Sequence, residues 1–228
     1  MTRILDRQKA IKLRKQGKTY TEIRRELGIA KSTLSNWLSK HPLTKNQMKK
    51  LERSRDKRKL LGIEKTRITK ARKRENRLRQ IYIREKKSLL PLADRELYLS
   101  GLFLYWGEGV KGLRNSVSLN NTDPQVLKFY LYWLSKILKV SKNKIRVTLH
   151  LYEDMDPKKE IKYWSGQLKI PKKQFNKPYI KSSKRKSIDH KGYGHGTCGL
   201  YICDTRLKER ISLGIEAIAN YYSRKLGQ

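Results

Sequence analysis

Along the first forty positions the apolar residues recur at helical spacing in three short bursts. Ile4, Ala10, Ile11 and Leu13 share one face of a segment that ends at Gly17, a residue favoured just past a helix. Thr19 and Glu22 stand at capping-box spacing, the hydroxyl and the carboxylate satisfying amides of a first turn, and this second segment closes at Gly28. The stretch IAKSTLSNWLSK then turns Leu34, Trp37 and Leu38 inward and leaves Lys31, Ser32, Thr33, Ser35 and Asn36 outward. The pattern predicts helix, glycine turn, helix.

From Thr44 to Leu92 the apolar positions thin to Leu61, Ile68, Ala71 and Leu78, while basic residues outnumber acidic ones nearly four to one. Good helix formers predominate, so the run predicts a long solvated helix, interrupted near Gly62 and ended by Pro91. A charged tether without structure of its own is the other reading of the same composition.

Beyond Pro91 a globular pattern returns. A helix is expected over Ala93 to Glu108, then a strand at SVSLN, then a helix with Thr122 or Asp123 as its cap and Pro124 in its first turn. KIRVTLHLY alternates, with Ile145, Val147, Leu149 and Leu151 on one face and Arg146, Thr148, His150 and Tyr152 on the other. A helix from Asp156 and Pro157, a strand at QFNKPYIK, a basic loop, a strand at TCGLYIC and a last helix from Thr205 to Tyr222 complete the reading. The expected class is α+β: a three-helix domain over 1–43, a basic helical linker over 44–92 and a mixed α/β domain over 93–228.

Charge narrows what such a chain binds. In 228 residues, 56 Lys and Arg face 20 Asp and Glu, a net +36 that repels itself unless a polyanion neutralises it. Nucleic acid is the expected partner. An acidic membrane surface competes, but no stretch approaches the roughly 18 apolar residues of a span, and no signal peptide opens the sequence. Two cysteines, Cys198 and Cys203, are too few for a disulfide framework and suit a reducing compartment. A soluble protein of the cytoplasm, associated with the nucleoid of a prokaryote, is expected.

Three clusters invite chemistry. His190, His195, Cys198 and Cys203 have zinc-binding side chains, yet cysteines five apart on one strand point to opposite faces. Glu153, Asp154 and Asp156 form an acidic group that also reads as the start of a helix. Lys184, Arg185 and Lys186 lie in a basic loop suited to phosphate contact.

TYTEIRRELGIAKSTLSNWL resembles the helix-turn-helix of resolvases and transposases through Ile23, Leu27, Gly28, Ile29, Lys31, Ser32, Thr33, Leu34, Ser35 and Trp37. The resemblance implies that the third helix enters the major groove of double-stranded DNA, with Ser32, Thr33, Ser35 and Asn36 at base edges and Lys31 on phosphate. Ala30 stands where that pattern carries a capping serine.

GLFLYWGEGVK, Gly101 to Lys111, resembles the signature helix of the LAGLIDADG homing endonucleases and of the related WhiA-type regulators. There an apolar helix with small residues packs against its twin and delivers an acid, followed by glycine, to a divalent metal at the DNA. The resemblance implies Glu108 as a Mg²⁺ ligand and catalytic acid, with Lys111 as its partner. Gly107 and Gly109, with Ser100 and Gly101 two turns earlier, are the small residues; Tyr105 and Trp106 stand where the family has smaller or acidic ones. With one such helix in the chain, a homodimer is expected, its DNA surface including Arg146, Thr148 and His150. The implied activity is metal-dependent endonuclease cleavage; a non-catalytic regulator of the WhiA type and a transposition or resolvase accessory protein are the alternatives.

Overall fold

A computed structural model describes residues 3–52, 58–112, 115–183 and 194–225. By contacts the chain divides into two compact units, Met1–Leu90 and Pro91–Gln228.

In the first unit α1 (Arg3–Lys15), α2 (Tyr20–Leu27) and α3 (Lys31–Leu38) enclose a small core of Ala10, Tyr20, Ile23, Leu34 and Leu38. Thr19 caps α2 and Glu22 returns the bond to the Thr19 amide at 2.7 Å, completing the expected capping box. Gly28 ends α2 with φ +68°, a left-handed conformation open to glycine without steric cost. α3 starts at Ala30 with no side-chain cap.

Helices α4 (Lys45–Glu52) and α5 (Arg58–Leu89) follow. Thr44 and Gln47 exchange capping bonds at the start of α4, and the Gln47 amide also donates to the Lys15 carbonyl at the end of α1. Leu43, Leu51 and Leu61 bury one another beside Met48. Gly62 lies inside α5, so the expected interruption there does not occur: its neighbours are strong helix formers, and about 1 kcal/mol of glycine penalty is spread over 32 helical residues. The sequence reading of a wholly solvated segment is also corrected, because Leu61 and Glu64 are buried; from Ile68 to Leu89 every residue is exposed.

The second unit is an α+β layer structure. α6 (Asp94–Glu108) leads to β1 (Ser116–Asn121), then α7 (Pro124–Tyr132), which continues as a π turn over Trp133–Ile137. β2 (Arg146–Tyr152), α8 (Pro157–Leu168), β3 (Tyr179–Lys181), β4 (Thr197–Cys203) and α9 (Thr205–Lys225) follow. Asp123 and Asp156 cap α7 and α8, each followed by proline at the first helical position. Asp156 thus does the work of a helix start.

The four strands order as β1-β4-β2-β3, antiparallel except for the parallel pair β2 and β3. Leu119, Leu200 and Val147 stand side by side across β1, β4 and β2. With Val117, Leu149, Leu151, Cys198 and Ile202 they form the apolar sheet face, packed with helical Leu102, Tyr105, Leu127, Trp133 and Ile211. The QFNKPYIK strand is shorter than expected, reduced to three residues, because a 3₁₀ turn occupies Lys172–Gln174 and the buried Gln174 amide donates to the Lys142 and Ile145 carbonyls.

Candidate nucleic-acid interface

Helical periodicity and the Leu34 and Leu38 anchors divide the polar residues of α3 into stripes. Ser32 and Asn36, four apart, are exposed on the side opposite the core. Lys31 and Ser35 form a neighbouring stripe and line an open cleft of about 510 Å³ whose other wall is α5, with Gly62, Ile63, Thr66, Arg67 and Lys70. Thr33 is half-buried on the remaining flank. The five residues therefore have three different surroundings.

The first turns of α5 are fastened down. Arg14, on α1, pairs with Glu64 at 2.6 Å with both side chains 2% exposed, and donates as well to the Lys18 and His41 carbonyls. Arg67 reaches the other Glu64 oxygen at 2.6 Å and lies over the Tyr20 ring at 3.6 Å from its centroid. Burial raises the Tyr20 phenol above its ordinary value, against the lowering influence of Arg14 and Arg67. Sequence reading missed Arg14 and Glu64; their only signal is a basic residue at the core edge of α1 and an acid within a basic run.

In the second unit the sheet face away from the helices is polar. Arg146, Thr148 and His150 of β2 stand beside Tyr201, Gly199 and Thr197 of β4, and His150 also pairs with Tyr179 of β3. Arg146 is exposed; Thr148 and His150 are half-buried. The His150 and Tyr179 rings lie 5.6 Å apart, and burial, then Lys181, lower the imidazole below its usual value. Asn176 donates to the Tyr201 hydroxyl at 2.7 Å. The alternation of KIRVTLHLY places these residues as expected, save Tyr152, which is buried with Lys181 near its ring. Lys184, Arg185, Lys186 and His190 lie outside the described residues.

Glu108 is exposed at the end of α6, with the Asn121 amide 3.5 Å from its carboxylate. Lys111 donates to the Gly107 carbonyl at 3.4 Å, at the carbonyl end of the helix. The Lys208 ammonium, buried, donates to the Tyr105 hydroxyl and the Val110 carbonyl, so α9 fastens the chain on both sides of Glu108. Two of the small residues have duties within this chain. A Cβ on Gly101 would sit 2.0 Å from the Trp133 ring, and one on Gly109 would meet Tyr105 at 2.5 Å, whereas nothing approaches Gly107 within 4 Å. Phe103 and Trp106, 50% and 40% exposed, stack on the outer face of α6.

Among the described residues zinc geometry is not assembled. Cys198 is buried in the apolar face, its thiol pushed far up by burial, while Cys203 is exposed. His195 is held by Glu160 at 2.7 Å and stacks on Tyr163. Among the described residues no three His, Cys, Asp or Glu side chains gather to hold a metal.

Residues 1–41 match the homeodomain-like domain family. This agrees with the helix-turn-helix seen in α1 to α3 and points to DNA as the partner. No curated protein and no solved structure matches the chain. No described helix is long and apolar enough to cross a membrane.

Proposed function

We propose that this chain is a sequence-specific double-stranded DNA-binding protein whose α3 lies in the major groove with Ser32 and Asn36 at base edges. The observation that carries the reading is the exposed Ser32 and Asn36 stripe opposite Leu34 and Leu38 on a homeodomain-like core. Net charge of +36 supplies the sequence-independent part of the affinity. Selection of the full chain on a random duplex library should return a defined motif, and Ser32→Ala with Asn36→Ala should relax it while leaving the salt dependence nearly unchanged. An unaltered motif in the double variant would remove α3 as the reader.

The second unit supports a further reading, a homing-endonuclease-like module that acts as a homodimer. Three features favour it: the exposed Phe103 and Trp106 on α6, the unobstructed Gly107, and Glu108 at the helix tip near Asn121. Mg²⁺ accepts one or two carboxylates together with phosphates and waters. The tip presents Glu108, and on this reading a second copy brings its own Glu108. Bound there, Mg²⁺ would activate water and stabilise a leaving oxygen. Lys111, bonded to the helix-end carbonyl, would stand beside the acid, and Arg146, Thr148 and His150, with Lys184, Arg185 and Lys186, would contact DNA. Incubation of plasmid carrying the selected site with Mg²⁺, Mn²⁺ or EDTA tests this: site-specific nicking lost in Glu108→Gln supports the enzyme, and tight binding without nicking leaves a regulator or an accessory of transposition.

A further inference from the structure

We propose that the cleft between α3 and α5 is a seat for one phosphodiester of the bound duplex, so that α5 sets the register in which α3 reads. This rests on the DNA-binding reading above. A helix lying in the major groove has a phosphate strand along each rim. The Lys31 and Ser35 stripe flanks the Ser32 and Asn36 stripe, so whatever occupies the cleft lies beside the groove contacts rather than upon them.

The lining suits an anion. Three cations, Lys31, Arg67 and Lys70, and the Ser35 hydroxyl converge there, and no carboxylate is among the lining residues. Thr66 already donates to the Gly62 carbonyl at 2.9 Å. Arg67 is bound to Glu64 and Tyr20, which makes it a fixed positive wall; Lys31 and Lys70 are exposed and bring the mobile charges.

The seat is also built at a set distance. Glu64 lies within one helical turn of Gly62, Thr66 and Arg67, and its buried bond to Arg14 ties that turn to α1. Gly62 has no neighbour within 4 Å of the place a Cβ would take and no left-handed backbone. Neither conformation nor packing calls for glycine at this position, whereas an open cleft does.

The test is fluorescence anisotropy of the full chain on its selected duplex across a potassium chloride series. Lys31→Ala with Lys70→Ala should make the slope of log affinity against log salt shallower by about 0.9, the contribution of the one phosphate they share, with the selected motif unchanged. Gly62→Leu should hold or raise the melting temperature, since leucine is the better helix former, and weaken binding about tenfold by filling the cleft. Because any basic residue can alter a salt slope, single methylphosphonate linkages scanned through the duplex give the deciding readout. One linkage in the site should weaken the wild type markedly more than the double lysine variant, which keeps Arg67 and Ser35 in the seat. Equal effects of every linkage on both proteins, or wild-type affinity in Gly62→Leu, would overturn the seat while leaving duplex recognition standing. A wild-type chain that selects no motif would overturn the seat together with the reading beneath it.

Discussion

The Arg14 guanidinium meets the Glu64 carboxylate at 2.6 Å across fifty residues of chain, with both side chains 2% exposed. A buried pair of this kind is costly to assemble and more costly to break. It converts the start of a basic helix into part of a helix-turn-helix unit. Glu64→Ala removes the carboxylate and leaves Arg14 on the Lys18 and His41 carbonyls beside the Tyr20 ring, and should destabilise the first unit by about 3 kcal/mol. Urea unfolding checks the magnitude, and amide exchange should show the first turns of α5 losing protection before α1 to α3.

Gly101 and Gly107, six residues apart on α6, should respond in opposite ways. Gly101→Ala drives a methyl into the Trp133 ring and should cost about 1–3 kcal/mol. Gly107→Ala meets nothing and should leave an isolated chain unchanged or more stable by up to about 1 kcal/mol. On the homodimer reading Gly107→Leu separates the two copies, which light scattering of the DNA complex detects as a halved protein mass.

Tyr130 is buried beside Trp133, and among the described residues its hydroxyl has no hydrogen-bond partner. Burial raises its pKa well above the usual phenol range, so the group stays protonated and keeps a donor that no described residue accepts. Tyr130→Phe deletes that unmet donor with little change of shape and should raise stability by about 1 kcal/mol. A thermal melt of the variant with a lower midpoint would show that the hydroxyl is satisfied.

His150 titrates below its ordinary value through burial and, secondarily, Lys181 on β3. For a base shifted this way the unfolded chain takes the proton more readily, so stability is full above the unfolded pKa of about 6.5 and falls as pH drops through it. A nearby phosphate reverses the preference, favouring the imidazolium. If the polar sheet face carries DNA, acidification from pH 7.5 to 5.5 should strengthen binding more in the wild type than in His150→Asn. Parallel pH profiles would place His150 away from the duplex.

Local chemistry was legible wherever one stretch of chain sufficed. The capping box of Thr19 and Glu22, the Asp123 and Asp156 caps before proline, and the alternation of β2 all follow from side chains within a few positions of the backbone they govern. The core face of α3 followed from Leu34 and Leu38, and Ser32 and Asn36 were exposed as the pattern required. The parity of Cys198 and Cys203 correctly separated them onto opposite sheet faces.

The glycines of α6 were legible as small residues but not as to what needs them small. Gly109 was read as clearance for a second helix and Gly101 as a small residue two turns earlier; Tyr105, one turn back from Gly109, and Trp133, on the next helix beside Gly101, occupy those places. Missing side chains make room without naming the occupant.

The sequence by itself determined a strongly basic chain, a helix-turn-helix whose polar residues face outward from Leu34 and Leu38, and an α+β unit with one polar sheet face. Periodicity and capping are short-range and leave their mark in neighbouring residues. Only the tertiary structure decided that α5 belongs to the helix-turn-helix unit, that Lys31 and Ser35 face a cleft while Ser32 and Asn36 face outward, and that Lys208 fastens the chain around Glu108. Those facts rest on contacts such as Arg14 with Glu64, and Tyr105 with Lys208 across 103 residues, in which burial turns two charges or dipoles into partners. An ion pair between distant segments has no period, so it exists only once the chain has folded.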